Sequence, residues 1–215
     1  MYKGCFITFE GTDASGKSTQ IDMLRDYLDE KKIPTLWVRE PGGTDIGEKI
    51  REIILDKSSK LMTPITEALL YAAARAQLVE QVIRPALESG KLVISDRFLD
   101  SSIAYQKYAR GLGDMVDSIN APAVSDIKPD LTIFLRVSPE VMRERRSAEE
   151  EDRMDAQTLE FHERVLKGYL QIASREPERF RTLDGSKSIE EIHLKIIDMI
   201  ECILSRRQES TLLGE

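Results

Sequence analysis

Gly11-Thr12-Asp13-Ala14-Ser15-Gly16-Lys17-Ser18 places glycine, four residues, glycine, lysine and a hydroxyl in one unbroken run. Glycine at both ends lets the backbone turn tightly enough for successive N–H groups to converge, which suits anionic oxygens. In such a loop Lys17 would bridge the β- and γ-phosphates of a nucleoside triphosphate, and the Ser18 hydroxyl would ligate Mg²⁺. A chain of this length would match the pattern by accident roughly once in a hundred cases. The plain alternative is a structural glycine turn. The flanking residues argue against it, because an apolar run precedes the loop and a helical period follows, so a helix N-terminus would add its own N–H groups. Asp96 closes a second apolar run, Lys91-Leu92-Val93-Ile94-Ser95, and would hold the magnesium directly or through water. An aspartate at a strand end is common and carries little weight alone.

The elements that must position these groups are legible in the pattern. Cys5-Phe6-Ile7-Thr8-Phe9, Thr35-Leu36-Trp37-Val38, Lys91 to Ser95, Leu131-Thr132-Ile133-Phe134-Leu135 and Arg181-Thr182-Leu183-Asp184 are short apolar runs of strand length. Helical periods separate them: Ile21, Leu24 and Leu28 on one face, then Asp45 to Leu55, Thr63 to Leu87, a helix opened by Ser138-Pro139-Glu140, Ala156 to Arg175, and a closing helix through Ile189, Ile192, Ile196, Met199 and Ile203. Alternating strands and helices predict an α/β fold whose parallel, five-stranded sheet is covered on both faces. Ligands in such sheets sit beyond the carboxyl ends of the strands. The chemically unusual residues collect there, in Glu10 to Ser18, Arg39 to Thr44 and Asp96 to Gln106.

At 215 residues the chain suits one domain, expected over residues 1–206, with residues 207–215 aperiodic and expected to form a mobile tail. The net charge of −7 excludes a dedicated nucleic-acid coat, which needs a concentrated basic surface. Cys5 and Cys202 lie far apart in apolar patterns and read as buried thiols. No apolar stretch has the length of a bilayer span and the first residues carry no signal-peptide pattern, so no membrane partner and a cytoplasmic location are expected. His162 and His193 sit in helical patterns and read as packed or surface imidazoles.

No Asn-Lys-x-Asp motif for reading guanine occurs, which disfavours a GTPase switch. Further blocks lie in order along the chain: Phe9-Glu10-Gly11 through Lys17-Ser18-Thr19, Arg39-Glu40-Pro41-Gly42-Gly43-Thr44, Leu69-Leu70-Tyr71-Ala72-Ala73-Ala74-Arg75, Asp96-Arg97-Phe98 with Ser101-Ser102-x-Ala104-Tyr105-Gln106, Pro129-Asp130-Leu131-Thr132, and Asp152-Arg153-Met154. Through these blocks the chain resembles the thymidylate kinases over essentially its whole length.

The resemblance implies a P-loop NTPase fold with a helical lid over about 143–155, and transfer of the γ-phosphoryl of ATP to dTMP with Mg²⁺. It implies ATP on Gly11, Thr12, Asp13, Ala14, Ser15, Gly16, Lys17, Ser18, Thr19 and Arg143, with Ser18 and Asp96 at the metal. It places the acceptor phosphate on Arg39 and Arg97, the base against Tyr71 with Arg75 donating to its oxygen, Ser102 and Gln106 along the base edge, Asp13 at the sugar 3′-hydroxyl, and Tyr105 where a 2′-hydroxyl would stand. Tyr71 and Arg75, four apart, share one helix face. Ala14 stands where one subclass carries an arginine, so transition-state charge would come from the lid: Arg153 first, with Arg146, Arg143 and Arg145 as alternatives. The family is generally homodimeric. This chain departs from the family pattern in Phe98, where Tyr is common, and in an acidic lid without glycine. A deoxynucleoside kinase, with Glu10 as base, is the nearest rival; another nucleoside monophosphate kinase or a P-loop regulatory protein without turnover are the others.

Overall fold

The computed structural model describes residues 4–145, 153–154 and 157–213, the stretch 206–213 as backbone alone. Five strands form one sheet: β1 (Cys5–Glu10), β2 (Thr35–Arg39), β3 (Leu92–Asp96), β4 (Leu131–Arg136) and β5 (Phe180–Asp184). All neighbours are parallel, in the order β2-β3-β1-β4-β5. The central strand β1 is buried throughout, as a continuous apolar run flanked by strands on both sides requires. Its one hydroxyl, on Thr8, is satisfied inside the sheet by Thr132 Oγ1 at 2.9 Å.

Helices cover both faces. On one, Ile21, Leu24 and Leu28 of α1 (Lys17–Glu30) meet Ile192, Ile196 and Ile200 of α9 (Ile189–Leu213) over Ile7, Phe9 and Ile94. On the other, α3 (Pro64–Leu78) runs through a π-helical turn, Val79–Ile83, into α4 (Arg84–Glu88) and packs Leu78, Ile83 and Leu87 on Phe6 and Val93. Each fully buried Leu or Ile contributes about 2 kcal/mol of transfer free energy. Capping fixes where the helices start. Thr44 accepts from Gly47 N at 2.9 Å to open α2 (Asp45–Leu55), Thr63 accepts from Thr66 N at 3.2 Å, and Ser138 accepts from Val141 N at 3.3 Å to open α7 (Pro139–Arg145).

The expected strands and long helices are present with most ends shifted by a residue or two; the helix expected from Ala156 begins three residues later, at Leu159. The sequence reading assigned no helix between Arg97 and Lys128. That span holds α5 (Leu99–Ser102), a π-helical stretch Ile103–Ala109 and α6 (Met115–Val124), the last with Pro122 inside it. The π stretch lies against α8 (Leu159–Arg175) so closely that a methyl on Gly168 would stand 2.8 Å from the Ala104 Cα. The backbone of α9 also runs to Leu213, past the point near Arg206 where periodicity ends. Cys5 is buried as read, whereas Cys202 is exposed on α9. Of the expected lid, α7 reaches Arg145 and Arg153-Met154 are placed; Arg146 lies outside the described residues, as do 147–152 and 155.

Candidate active site

The loop between β1 and α1 turns on residues of unusual backbone conformation. Gly11 and Gly16 have φ of 145° and 97°, and a side chain on Gly11 would stand 2.7 Å from the Leu135 carbonyl oxygen. Between them Ala14 is also left-handed, at φ 56°. Lys17 Nζ donates to the carbonyls of Gly11 at 3.2 Å and Thr12 at 2.9 Å. Burial, reinforced by the charge of Arg97, pulls the Lys17 ammonium below its ordinary range against the pull of Asp96, Asp13 and Glu10.

The loop lines a cleft of about 690 Å³ whose wall runs from Ser18 and Thr19 across Asp96, Arg39 and Arg97 to Arg145 and Lys187. Asp96 is in register with Phe9 of β1 and Arg39 of β2, so all three reach the same level at the carboxyl edge. Its Oδ1 is buried and accepts no hydrogen bond among the described residues, so a strand-end carboxylate oxygen is available for an oxygen-coordinated divalent ion beside the Ser18 hydroxyl.

A second pocket, about 90 Å³, continues from this cleft through Asp13, Glu40, Arg51 and Arg97, which line both. Here the structure gathers Asp13, Tyr71, Arg97, Ser102, Tyr105 and Gln106, six of the residues expected around an acceptor. Arg97 joins the compartments. It sits at φ 69°, a strained conformation for any residue with a Cβ, with Nη2 donating to Asp13 Oδ1 at 2.8 Å, Nη1 donating to Ser101 Oγ at 3.2 Å, and its guanidinium 5.5 Å from the Tyr105 ring. Arg39 is half-exposed on the cleft and its ion pair is with Glu48, 2.8 Å away, while Glu40, the neighbour considered from sequence, pairs elsewhere.

Three expectations are not met in the placement. Arg75 is 1% exposed and lines neither compartment. An arginine has five N–H groups, and four are hydrogen-bonded here: Nε to Glu40 Oε2, Nη1 to Ser102 Oγ at 3.0 Å and to Asn120 Oδ1, and Nη2 to the Phe98 carbonyl at 3.0 Å, with Nη2 also in ion-pair contact with Glu40. Reaching a base oxygen would require it to trade one of these bonds. Arg153, the first choice for transition-state charge, donates to the Ile54 carbonyl at 2.7 Å and pairs with buried Glu67 at 2.8 Å, which ties it to α2 and α3 rather than the phosphate loop. Arg143 is exposed and lines neither compartment, whereas Arg145, with its Nη1 on the Gly185 carbonyl at 3.0 Å, lines the cleft.

Sequence reasoning missed Arg51, Tyr169 and Glu67. Arg51 donates to the Pro41 carbonyl at 3.1 Å; its one signal is standing one helical turn beyond Gly47. Behind Arg97, the fully buried Glu10 accepts from Phe98 N at 2.8 Å, Ser101 Oγ at 2.6 Å and Tyr169 OH at 2.8 Å. Burial and the nearby Asp100 carboxylate raise the Glu10 carboxyl from 4.5 to about 7, although Arg97 and the two hydroxyls oppose this. The folded chain therefore holds a proton that the unfolded chain releases. This group's contribution to stability is full below about pH 4.5, falls by about 3 kcal/mol as pH rises to 7, and is flat above. Glu10→Gln removes that slope. Urea denaturation should show the variant gaining on the parent across pH 4.5–7, and a pH-independent difference would refute the assignment.

A phosphate loop on the central strand, opening into a second pocket through an arginine that touches both, defines a P-loop nucleoside triphosphate-binding protein with room for an acceptor. Comparison with known sequences narrows this class. The chain belongs to the thymidylate kinase family, whose model matches residues 9–196. A thymidylate kinase of Symbiobacterium thermophilum is 50% identical over 203 residues, covering 94% of this chain and 95% of the relative. One from a Thermoanaerobacter species is 47% identical over 200 residues, covering 93% and 98%. The crystal structure of thymidylate kinase from Ehrlichia chaffeensis superposes with a TM-score of 0.74 at 33% identity, covering 92% of this chain and 98% of that one.

Proposed function

We propose that the chain transfers the γ-phosphoryl group of ATP to dTMP, giving dTDP and ADP. The observation that carries this reading is the pair of joined compartments with Arg97 and Asp13 at their junction. ATP occupies the larger cleft, its β- and γ-phosphates on the loop N–H groups and Lys17. The acceptor phosphate meets Arg97 and, from the β2 side, Arg39 and Arg51, whose planar forks suit phosphate oxygens. Tyr71 offers a face for the base, Asp13 accepts from the sugar, and Tyr105 closes the space beside it. Ser18 and Asp96 are the residues that would hold Mg²⁺, which supplies charge neutralisation at the phosphates. The residues do little covalent work; they align two phosphates and stabilise the charge that develops between them.

A panel of nucleoside and deoxynucleoside monophosphates assayed with ATP tests the reading. Preference for dTMP is the expected result, and preference for an unphosphorylated nucleoside would overturn it. We also place the enzyme in the cytoplasm, where its nucleotides are; among the described residues no helix is long and apolar enough to cross a membrane. A homodimer is supported by the family and by Ile46, Ile53, Ile65 and Leu69, which α2 and α3 expose.

Two expected outcomes follow from the arginines. Arg75→Lys keeps a charge for buried Glu40 but cannot reproduce the fork onto Ser102, Asn120 and Phe98, so the acceptor KM should rise about tenfold with the ATP KM unchanged. Movement of the ATP constant instead would mean that Arg75 serves the other compartment. Arg145→Ala should lower kcat by about 10²-fold, as loss of one charge stabiliser does, while Arg153→Ala should mainly lower stability. The reverse order in kcat would restore Arg153 to the phosphates.

A further inference from the structure

Gln106 lines the acceptor pocket, and the contacts behind it decide which end of its amide faces a ligand. Its Nε2 donates to Glu67 Oε1 at 2.9 Å. Glu67, on α3, is 1% exposed and also receives Arg110 Nε at 3.1 Å, Arg110 Nη2 at 3.0 Å and Arg153 Nη2 at 2.8 Å. Burial pushes the Glu67 carboxyl up, but the hydrogen bonds and charges of Arg110, Gln106 and Arg153 outweigh it and hold the group below its ordinary range. It is an anion, and an anion accepts without donating. Gln106 can meet it with its NH₂ end alone, which turns the carbonyl Oε1 toward the pocket.

Ser102, four residues earlier, is adaptable where Gln106 is fixed. Ser102, which also lines the pocket, accepts from Arg75 Nη1 at 3.0 Å, and a guanidinium donates without accepting. The Ser102 hydroxyl keeps its proton and one lone pair, so it can follow whichever end a ligand presents.

We infer that Glu67 is a specificity-determining positioning residue: by locking the Gln106 amide, it gives the pocket a fixed acceptor beside the adaptable Ser102 hydroxyl. The inference rests on the pyrimidine acceptor proposed above and extends it. Thymine and uracil present an N3–H, the complement of that acceptor, next to a C4 carbonyl to which Ser102 can donate. Cytosine presents a bare N3, so that an acceptor would face an acceptor. Glu67 touches no substrate. It acts through Gln106, and what it selects is a keto edge over an amino edge, leaving the thymine methyl to other contacts.

The test compares kcat/KM for dTMP, dUMP and dCMP with ATP, using competition by dCMP against dTMP where its turnover is too slow to follow. Gln at position 67 could present either end of an amide, so Glu67→Gln frees Gln106 to turn. The dTMP to dCMP ratio should fall by at least ~30-fold, through KM more than kcat, with the dUMP to dCMP ratio falling alongside. Glu67→Asp keeps the charge for both arginines but withdraws the carboxylate from Gln106, and should lower the ratio less; it carries the test if the Gln variant does not fold. Arg110→Met loosens the same cluster while leaving the Glu67–Gln106 bond, so it should cost stability and leave the ratio unchanged. In a Gln106→Met background, adding Glu67→Gln should change nothing further. A parental ratio in both Glu67 variants, an equal collapse in Arg110→Met, or additivity in the double variant would overturn the inference while leaving the acceptor assignment intact. A parent enzyme that takes dCMP as readily as dTMP would overturn both.

Discussion

Lys17→Ala is expected to abolish turnover, lowering kcat by 10³-fold or more, because the ammonium is the one lysine charge carried by the loop itself toward the transferred group. Folding should survive. The ammonium sits where burial disfavours its charged form, so removing it relieves a cost and forfeits no core packing. What the variant loses are two hydrogen bonds to the Gly11 and Thr12 carbonyls. The measurement is single-turnover phosphoryl transfer alongside a thermal melt. A Tm at or above the parental value with no product is the expected pair of results, and activity within tenfold of the parent would remove the loop from the mechanism.

Arg97→Ala is expected to reduce kcat/KM for the acceptor by about 10³-fold, as the residue would both bind the acceptor phosphate and meet the developing charge. Backbone strain complicates a single substitution here. At φ 69° alanine keeps the left-handed penalty that arginine carries, whereas glycine relieves it, a difference of about 1 kcal/mol. Arg97→Gly should therefore be the more stable of the two variants in urea and equally inactive. If glycine restored activity, the conformation of the turn and not the guanidinium would be what the reaction needs.

Much of the fold could be read in advance because its signals are local. Buried parallel strands are short apolar runs, and Thr44, Thr63 and Ser138 mark helix starts with their own side chains. The phosphate loop is equally local, since its geometry depends on glycines within the motif. What escaped was non-local or weakly patterned. Glu67 meets partners at positions 106, 110 and 153, and no spacing rule links a residue on α3 to those. Arg153 resembles a phosphate ligand because it belongs to the Asp152-Arg153 block; the buried carboxylate that claims it is 86 positions earlier in the chain, by subtraction of the two residue numbers. The family pattern puts Arg75 on the acceptor side, yet its commitment to Glu40 and Asn120 depends on how α3, α6 and the end of β2 pack. The helices between Arg97 and Lys128 were unread because α5 is shorter than two turns and α6 contains a proline.

The common level of Phe9, Asp96 and Arg39 across three strands has a consequence for how the chain can change in length. Residues 56–62, between α2 and α3, are largely exposed and stand outside both compartments, so a residue gained or lost there is absorbed locally. A deletion inside Leu92–Asp96 is different in kind. It would bring Arg97 to the level of Phe9, interchange the faces on which Val93 and Ile94 pack, and set a fixed cation where a divalent one is to be held. Insertions and deletions over descent should therefore concentrate in the first segment and be purged from the second, however conservative the residues involved.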